Sequence, residues 1–361
     1  MICVVGGGVA GLVAAYQLTR AGQAVTIMES ADRLGGQVWT ESVGGFLIEH
    51  GAEGYAAGRG SANSLVADLQ LTGRLVSQLT THSMILRCGR LEPLSVSDAA
   101  RVVGIQADRT DLGHGIASFR GGAGELVTAL SAAIACRATV RLGSRVTRLT
   151  PQPGGSWQIS TTQGDEVEAD AVILATPAAP AAELVAPLSR EAAEILDSFQ
   201  TASSVSVSLA CPASAVTLPP GAGGFVSPSG VEDEGFRACD FASAKFPGRS
   251  PNGFVLLRAF FRPGREWPLE APDGRWVEFA VDAVWPALGI RTRPVRAWVA
   301  RWPGALPRYA ANHGESLQAV ARLLGGGPPL QLAGAAYRAS GVAGAIESAR
   351  AAAHCLATGT T

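Results

Sequence analysis

The run Ile2-Cys3-Val4-Val5-Gly6-Gly7-Gly8-Val9-Ala10-Gly11 restricts the fold of this chain more than any other stretch. Four apolar, largely β-branched residues read as a buried parallel strand. They break at once into a GxGxxG pattern with glycines at 6, 8 and 11. Gly6 suits a tight turn, Gly8 the close approach of a pyrophosphate to the backbone, and Gly11 the close packing of helix on strand. A helix over about 10–21 then points the free N–H groups of its first turn, those of Val9 and Ala10 included, at bound phosphate. Gly22 ends that helix, and Ala24-Val25-Thr26-Ile27-Met28 forms a second strand that delivers Glu29 at its end. A carboxylate there can accept both hydroxyls of an adenosine ribose. Strand, turn, helix, strand and acid in that order define a dinucleotide site. A glycine-rich turn in some other α/β unit would leave Glu29 without a role.

The remaining composition narrows the class. A chain of 361 residues can build a sizeable core and two domains. A net charge of −1 gives no electrostatic basis for binding nucleic acid or an anionic membrane. Mean hydropathy is +0.21, yet the most apolar stretch, residues 171–188, is interrupted by Pro177, Pro180 and Pro187, so no integral membrane association is expected. The chain enters its first strand immediately, which leaves no room for a signal peptide. Six cysteines scattered without a CxxC suit free thiols and a cytoplasmic location. Five dispersed histidines make a metal site unexpected. Lys245 is the single lysine, so any lysine-dependent step would fall on it.

Further along, Ser30-Ala31-Asp32-Arg33-Leu34-Gly35-Gly36-Gln37 places a second glycine pair just after the ribose acid. Arg33 can reach toward the pyrophosphate, and the glycines let the loop lie flat against a cofactor. Residues 45–54 read as a strand ending in the bend Gly51-Ala52-Glu53-Gly54. Strands are expected at 139–146, 157–160, 166–168 and 170–176, then at 204–210, 254–261 and 296–300. Helices are expected near 189–199 and 273–288. Gly325-Gly326-Gly327-Pro328-Pro329 reads as a linker to a last strand at 330–334 and a last helix from Val342.

The segments VVGGGVAGLVAAYQL, MESADRLGGQVWT and FLIEHGAEG resemble the flavin-binding half of the flavin amine oxidase superfamily. FRGGAGELVTAL (119–130), LPRYAANHGESL (306–317) and LAGAAYRASGVAGAIESARAAA (332–353) resemble the protoporphyrinogen oxidases within it. The resemblance implies an α/β, two-domain flavoprotein with a discontinuous Rossmann-like FAD domain (1–55, 119–180, 325–361) and a mixed-sheet substrate domain (56–118, 181–324). It implies non-covalent FAD held by Gly6, Gly8, Val9, Ala10, Gly11, Glu29, Ser30, Arg33, Gly35, Gly36, Gln37, Gly51, Ala52, Glu53, Gly54, Val146, Gly334, Ser340, Gly341 and Val342. Trp302 and Tyr309 would line the substrate side, or simply pack in the core.

The chain departs from porphyrinogen oxidases at 94–118, too short for the helical segment that builds their cavity and membrane-contacting face. Ser83 stands where human-type members place a propionate-binding arginine. Candidates for chemistry are His50, Glu53 and Lys245. His50 could tune the flavin or orient substrate, or be a buried, hydrogen-bonded histidine. Glu53 could contact cofactor or an amine, or be a helix-entry acid. Lys245 could hold a water near the flavin, although 242–249 reads as a loop carrying a solvated lysine. The expected function is oxidation of a small metabolite at a C–N or C–C bond, with O2 as re-oxidant and the flavin doing the chemistry. The alternatives are a compact proto- or coproporphyrinogen oxidase and a non-catalytic flavin-fold binding protein.

Overall fold

The computed structural model describes residues 1–104, 115–228 and 233–358. Its first layer is a five-stranded parallel sheet in the order Ala138–Arg141, Val25–Met28, Ile2–Val5, Ala171–Leu174, Leu330–Leu332. Ile2–Val5 lies at the centre, and all four of its residues are buried, as a strand covered on both faces requires. One face carries the helix Val9–Arg20, ten of whose twelve residues are buried. Against it pack the helices Gly124–Ile134 and Gly341–Thr358 in one apolar cluster. Alanines at 14, 15, 343, 349, 352 and 353 line this contact, so the first and last long helices share a core built of small side chains.

The other face is covered by the three-stranded meander Val146–Pro151, Trp157–Thr161, Glu166–Ala169 and by the helices Ala178–Val185, Arg190–Asp197 and His313–Leu324. The last three share the core of the parallel sheet, although in sequence nearly all of their residues lie on the substrate side of the expected boundary at 180/181.

The second layer is a seven-stranded mixed sheet in the order Arg296–Pro307, Thr201–Pro212, Phe254–Arg262, Gly235–Asp240, Ala222–Val226, His82–Arg87, Arg90–Leu94. All neighbours are antiparallel except the pair of Ala222–Val226 with His82–Arg87. Its two faces follow from the two-residue period of a strand. Val205, Val207, Leu209, Leu257, Ala259 and Phe261 point to the helix Asp273–Leu288, whose Trp276, Ala280 and Val284 are fully buried. The alternate residues face the segment 46–53. There, Ala210 and Leu256 pack on Phe46 and Ile48. In the interval 94–118 the described residues supply one short helix, Val96–Val102, capped by Ser95, whose hydroxyl accepts from the Asp98 N–H, and packed on Ile85 and Val226. No helix among the described residues is long and apolar enough to cross a membrane.

Candidate active site

The three glycines of the first turn differ in what surrounds them. Gly6 has φ +108°, and a Cβ on it would lie 2.7 Å from the Ala175 carbonyl oxygen. A Cβ on Gly11 would lie 1.8 Å from the Gly6 carbonyl oxygen, so helix and strand could not approach as they do. Gly8 is the opposite case: a Cβ there would meet nothing nearer than the Gly36 Cα at 3.9 Å. Gly8 also caps the helix Val9–Arg20, which has no side-chain cap and no acid in its first turn. The first backbone bond into this helix is donated by Leu12 to the Gly8 carbonyl, so the preceding N–H groups have no acceptor within it. The turn therefore offers a cradle with uncommitted donors where an anionic group would lie.

Glu29 closes one side of that cradle. Its carboxylate accepts from the N–H of Gly7 at 2.6 Å, the N–H of Ala31 at 2.7 Å and the Ser30 hydroxyl at 3.2 Å. The loop 33–37 closes another. Gly35 bridges to Gly8, and its N–H donates to the Gly7 carbonyl at 2.8 Å. Arg33 is spent on this loop: it donates to the Leu34 and Gly36 carbonyls and stacks on Trp39 with its Cζ 4.6 Å from the ring centre. Burial lowers its pKa, while Glu29 and Asp32 act the other way. Val146, buried at the start of the meander, follows a turn in which the Ser144 N–H donates to the Glu29 carbonyl. At the far end of the chain, Gly334 (φ +144°) donates to the Ser348 hydroxyl. Gly341, with Val342 beside it, opens the last helix with nothing near its Cβ direction.

The bend 50–54 joins the two sheets. The carbonyl of His50 accepts from the Trp302 indole N–H and from the Ser206 hydroxyl, both at 2.8 Å. A Cβ on Gly51 would lie 1.9 Å from the Gln37 carbonyl oxygen and 3.1 Å from the Trp302 ring. Gln37 in turn donates from its side chain to the Ala305 carbonyl at 3.0 Å. His50 is the buried, hydrogen-bonded histidine: its Nε2 pairs with Glu41 at 2.7 Å and its ring stacks on Trp39. Tyr309 donates its hydroxyl to the Ala335 carbonyl, which ties the segment after the mixed sheet to the short turn Ala335–Tyr337 that follows the last strand; burial raises its pKa to about 12.

Lys245 corrects the sequence expectation. It is no solvated loop lysine. It closes a one-turn helix, Ala242–Lys245, and is 7% exposed. Its ammonium donates to Glu53 and, at 3.1 Å, to Asp240. Arg258 completes the group, 3.3 Å from a carboxylate oxygen of each acid. Its other terminal nitrogen donates to the Glu49 and Gly51 carbonyls at 2.8 and 3.0 Å. Two cations and two anions are thus buried together directly behind the bend. Burial opposes ionisation of Glu53, but Lys245 and Arg258 overcome it and hold the carboxyl at about 2. For Asp240, burial and the adjacent Glu53 prevail and push the carboxyl to about 6. Lys245 is held above its ordinary value because the two acids outweigh its burial. Glu53 is therefore neither a helix-entry acid nor a free base.

Sequence reasoning missed Asp240, Arg258, Arg249 and Glu49. Arg249, 2% exposed, donates to the Phe119 carbonyl and the Ser118 hydroxyl. Glu49 accepts from the Ala123 N–H and the Thr40 hydroxyl; burial raises its pKa against those bonds and the nearby arginines. The available signal was strand parity at Arg258, which shares the parity of Leu256, packed on Phe46 and Ile48, where a charge demands a partner.

A family model described as flavin containing amine oxidoreductase matches residues 9–106 and 95–357. The chain is 27% identical over 477 residues to a coproporphyrinogen III oxidase of Propionibacterium freudenreichii, covering 97% of this chain and 89% of that protein. It is 28% identical over 436 residues to a coproporphyrinogen III oxidase of Mycobacterium tuberculosis, covering 96% and 95%. Among solved structures, a putative protoporphyrinogen oxidase from Exiguobacterium superposes with a TM-score of 0.85 at 21% identity, over 99% of each chain. A putrescine oxidase bound to putrescine superposes with a TM-score of 0.71 at 15% identity, over 99% of this chain and 98% of that one. These two structural likenesses bear on the fold alone. The family match spans nearly the whole sequence, and the chain belongs to the flavin containing amine oxidoreductase family as an FAD-dependent oxidoreductase.

Proposed function

We propose that this protein removes a hydride equivalent from a C–N or C–C bond of a small metabolite and is re-oxidised by O2. The residues at the glycine turn fit FAD. The uncommitted N–H groups after Gly8 take the pyrophosphate, joined by Gly11, the flat loop Gly35-Gly36-Gln37 and the Gly334, Ser340, Gly341 and Val342 turn. Glu29 would hold the ribose hydroxyls, and Ser30 and Val146 would flank the adenosine. The bend of Gly51, Ala52 and Gly54 would border the isoalloxazine. FAD supplies the hydride acceptor, and the protein places the substrate carbon and excludes water. Glu53 and Lys245 neutralise each other, so they hold the bend and do not exchange protons with substrate. Trp302 and Tyr309 close the substrate side from the mixed sheet.

The small size of the substrate rests on one observation. Between Leu94 and Ile116 the described residues supply a single helix of seven residues, Val96–Val102. The match to the Propionibacterium enzyme runs over 477 residues where this chain has 361, so that relative carries additional residues along the matched length. A shorter cover suits a smaller molecule. A second reading, oxidation of a porphyrinogen, is favoured by the names of those relatives. Anaerobic stopped-flow mixing decides between them. Compact cyclic amines are expected to bleach the flavin band faster than coproporphyrinogen III or protoporphyrinogen IX. Faster bleaching by either porphyrinogen would establish the second reading.

The cofactor assignment has its own test. Glu29→Ala removes charged hydrogen bonds worth about 1.5–3 kcal/mol, so FAD should bind roughly 10- to 150-fold more weakly. Turnover at saturating FAD should change little, because the ribose end is remote from the reacting ring. Equal affinity in both proteins, read by titrating apoprotein with FAD, would remove Glu29 from the site. The flavin is expected in the supernatant after acid precipitation, since binding is non-covalent.

A further inference from the structure

The backbone oxygens of the bend that the functional reading sets beside the isoalloxazine are taken up by side chains around it. The Glu49 and Gly51 carbonyls accept from one terminal nitrogen of Arg258 at 2.8 and 3.0 Å. The His50 carbonyl accepts from the Trp302 indole N–H and the Ser206 hydroxyl, and the Glu53 carbonyl from the Ser118 hydroxyl. Carbonyl oxygens at 49, 50, 51 and 53 are thus committed to protein donors. Arg258 differs from the other donors in how much it holds. Its second terminal nitrogen lies 3.3 Å from a carboxylate oxygen of Glu53 and of Asp240. The guanidinium is 4% exposed and stacks on Phe260 with its Cζ 4.6 Å from the ring centre. Arg258 and Phe260 lie two residues apart on one strand and so share a face, which fixes the guanidinium from the sheet side. The planar fork of an arginine can serve two carbonyls and two carboxylates at once, which the point charge of a lysine cannot.

This commitment matters for a ring that gains charge. A flavin that takes up two electrons and one proton becomes an anion. A carbonyl oxygen turned toward that anion would repel it, whereas an oxygen bonded into the buried cluster is turned away. We propose that Arg258 is a positioning residue for the flavin: it keeps the Glu49 and Gly51 carbonyl oxygens turned into the cluster, so that FAD beside the bend is easier to reduce. The proposal rests on the functional reading above, in which FAD lies against this bend, and the experiment separates a failure of one from a failure of the other.

The FAD-loaded protein is reduced without oxygen alongside a reference dye of known potential, and the two-electron equilibrium constant between dye and bound flavin is read from absorbance. With FAD at saturation, Arg258→Met and Arg258→Lys should each shift that constant by roughly tenfold or more toward oxidised flavin. Lys245→Met removes the same charge from the cluster but touches no carbonyl of the bend, so its shift should be smaller. Tm and titration of apoprotein with FAD are read in parallel. An arginine with only a structural role would lower Tm and FAD affinity but leave the equilibrium constant of the saturated protein unchanged, and that result would overturn the proposal. So would an Arg258→Lys protein with the wild-type constant, because charge alone would then suffice, or equal shifts in Lys245→Met and Arg258→Met. A wild-type protein that binds no FAD would overturn the functional reading, and the proposal with it. Arg258→Lys preserves the charge balance of the cluster and carries the test if the methionine variant does not fold.

Discussion

Gly8→Val is expected to give a folded but colourless protein. The Cβ direction of Gly8 is open to 3.9 Å, so the substitution leaves the strand and helix undisturbed. The added side chain occupies the space in front of the uncommitted N–H groups, which is where the FAD pyrophosphate would lie. Loss of affinity should reach on the order of 100-fold or more, ~2.7 kcal/mol, with an unchanged far-ultraviolet dichroism spectrum. Gly11→Ala is the contrasting case. Its Cβ would fall 1.8 Å from the Gly6 carbonyl, so helix and strand must separate and the fold itself should fail. A Gly8→Val protein that is yellow at wild-type stoichiometry would show that the pyrophosphate lies elsewhere.

Lys245→Met should destabilise the protein by about 3–5 kcal/mol, the cost of stripping one partner from a buried ion pair. It leaves Glu53 and Asp240 facing Arg258 alone. The pH dependence carries the diagnosis. In the intact protein Asp240 sits at about 6 against an ordinary 3.8, so its ionisation weakens the native state as pH rises through that interval. Glu53 sits at about 2 against an ordinary 4.5, so its contribution is stabilising above 4.5 and is lost as pH falls toward 2. Without the ammonium the two acids repel with less compensation and the native state holds a proton more tightly. The deficit of the variant, from urea unfolding midpoints, should therefore be larger at pH 8 than at pH 5. A deficit below 1 kcal/mol at both values would mean that Lys245 is not the centre of the group.

What the sequence disclosed depended on the distance between interacting residues. The glycine turn and Glu29 lie within thirty residues, and each has a local conformational reason, so that end of the site was legible directly. The strands at 204–210, 254–261 and 296–300 were also legible, the first from two-residue alternation and the second from its nearly continuous apolar run. Lys245 was not. Its partner Glu53 is 192 residues away in sequence, and the small and polar residues around it resemble any surface turn. Burial of a charge is decided by the partner that neutralises it, and no local pattern names that partner. His50 shows the same limit, since its environment is set by Glu41 and Trp39 across a hairpin and by the mixed sheet behind it.

The parallel sheet also governs when this chain can fold. Its strands come from residues 2–5, 25–28, 138–141, 171–174 and 330–332, and the helix that packs on Val9–Arg20 along its alanines begins only at Gly341. On a ribosome the alanine-lined face of the helix after the glycine turn stays bare until residues 341–358 are made. Contacts this remote in sequence are slow to form and leave a partly folded species exposed meanwhile. FAD capture should therefore await residues 341–358, and a nascent chain arrested before residue 330 should be held by chaperones and should not retain FAD.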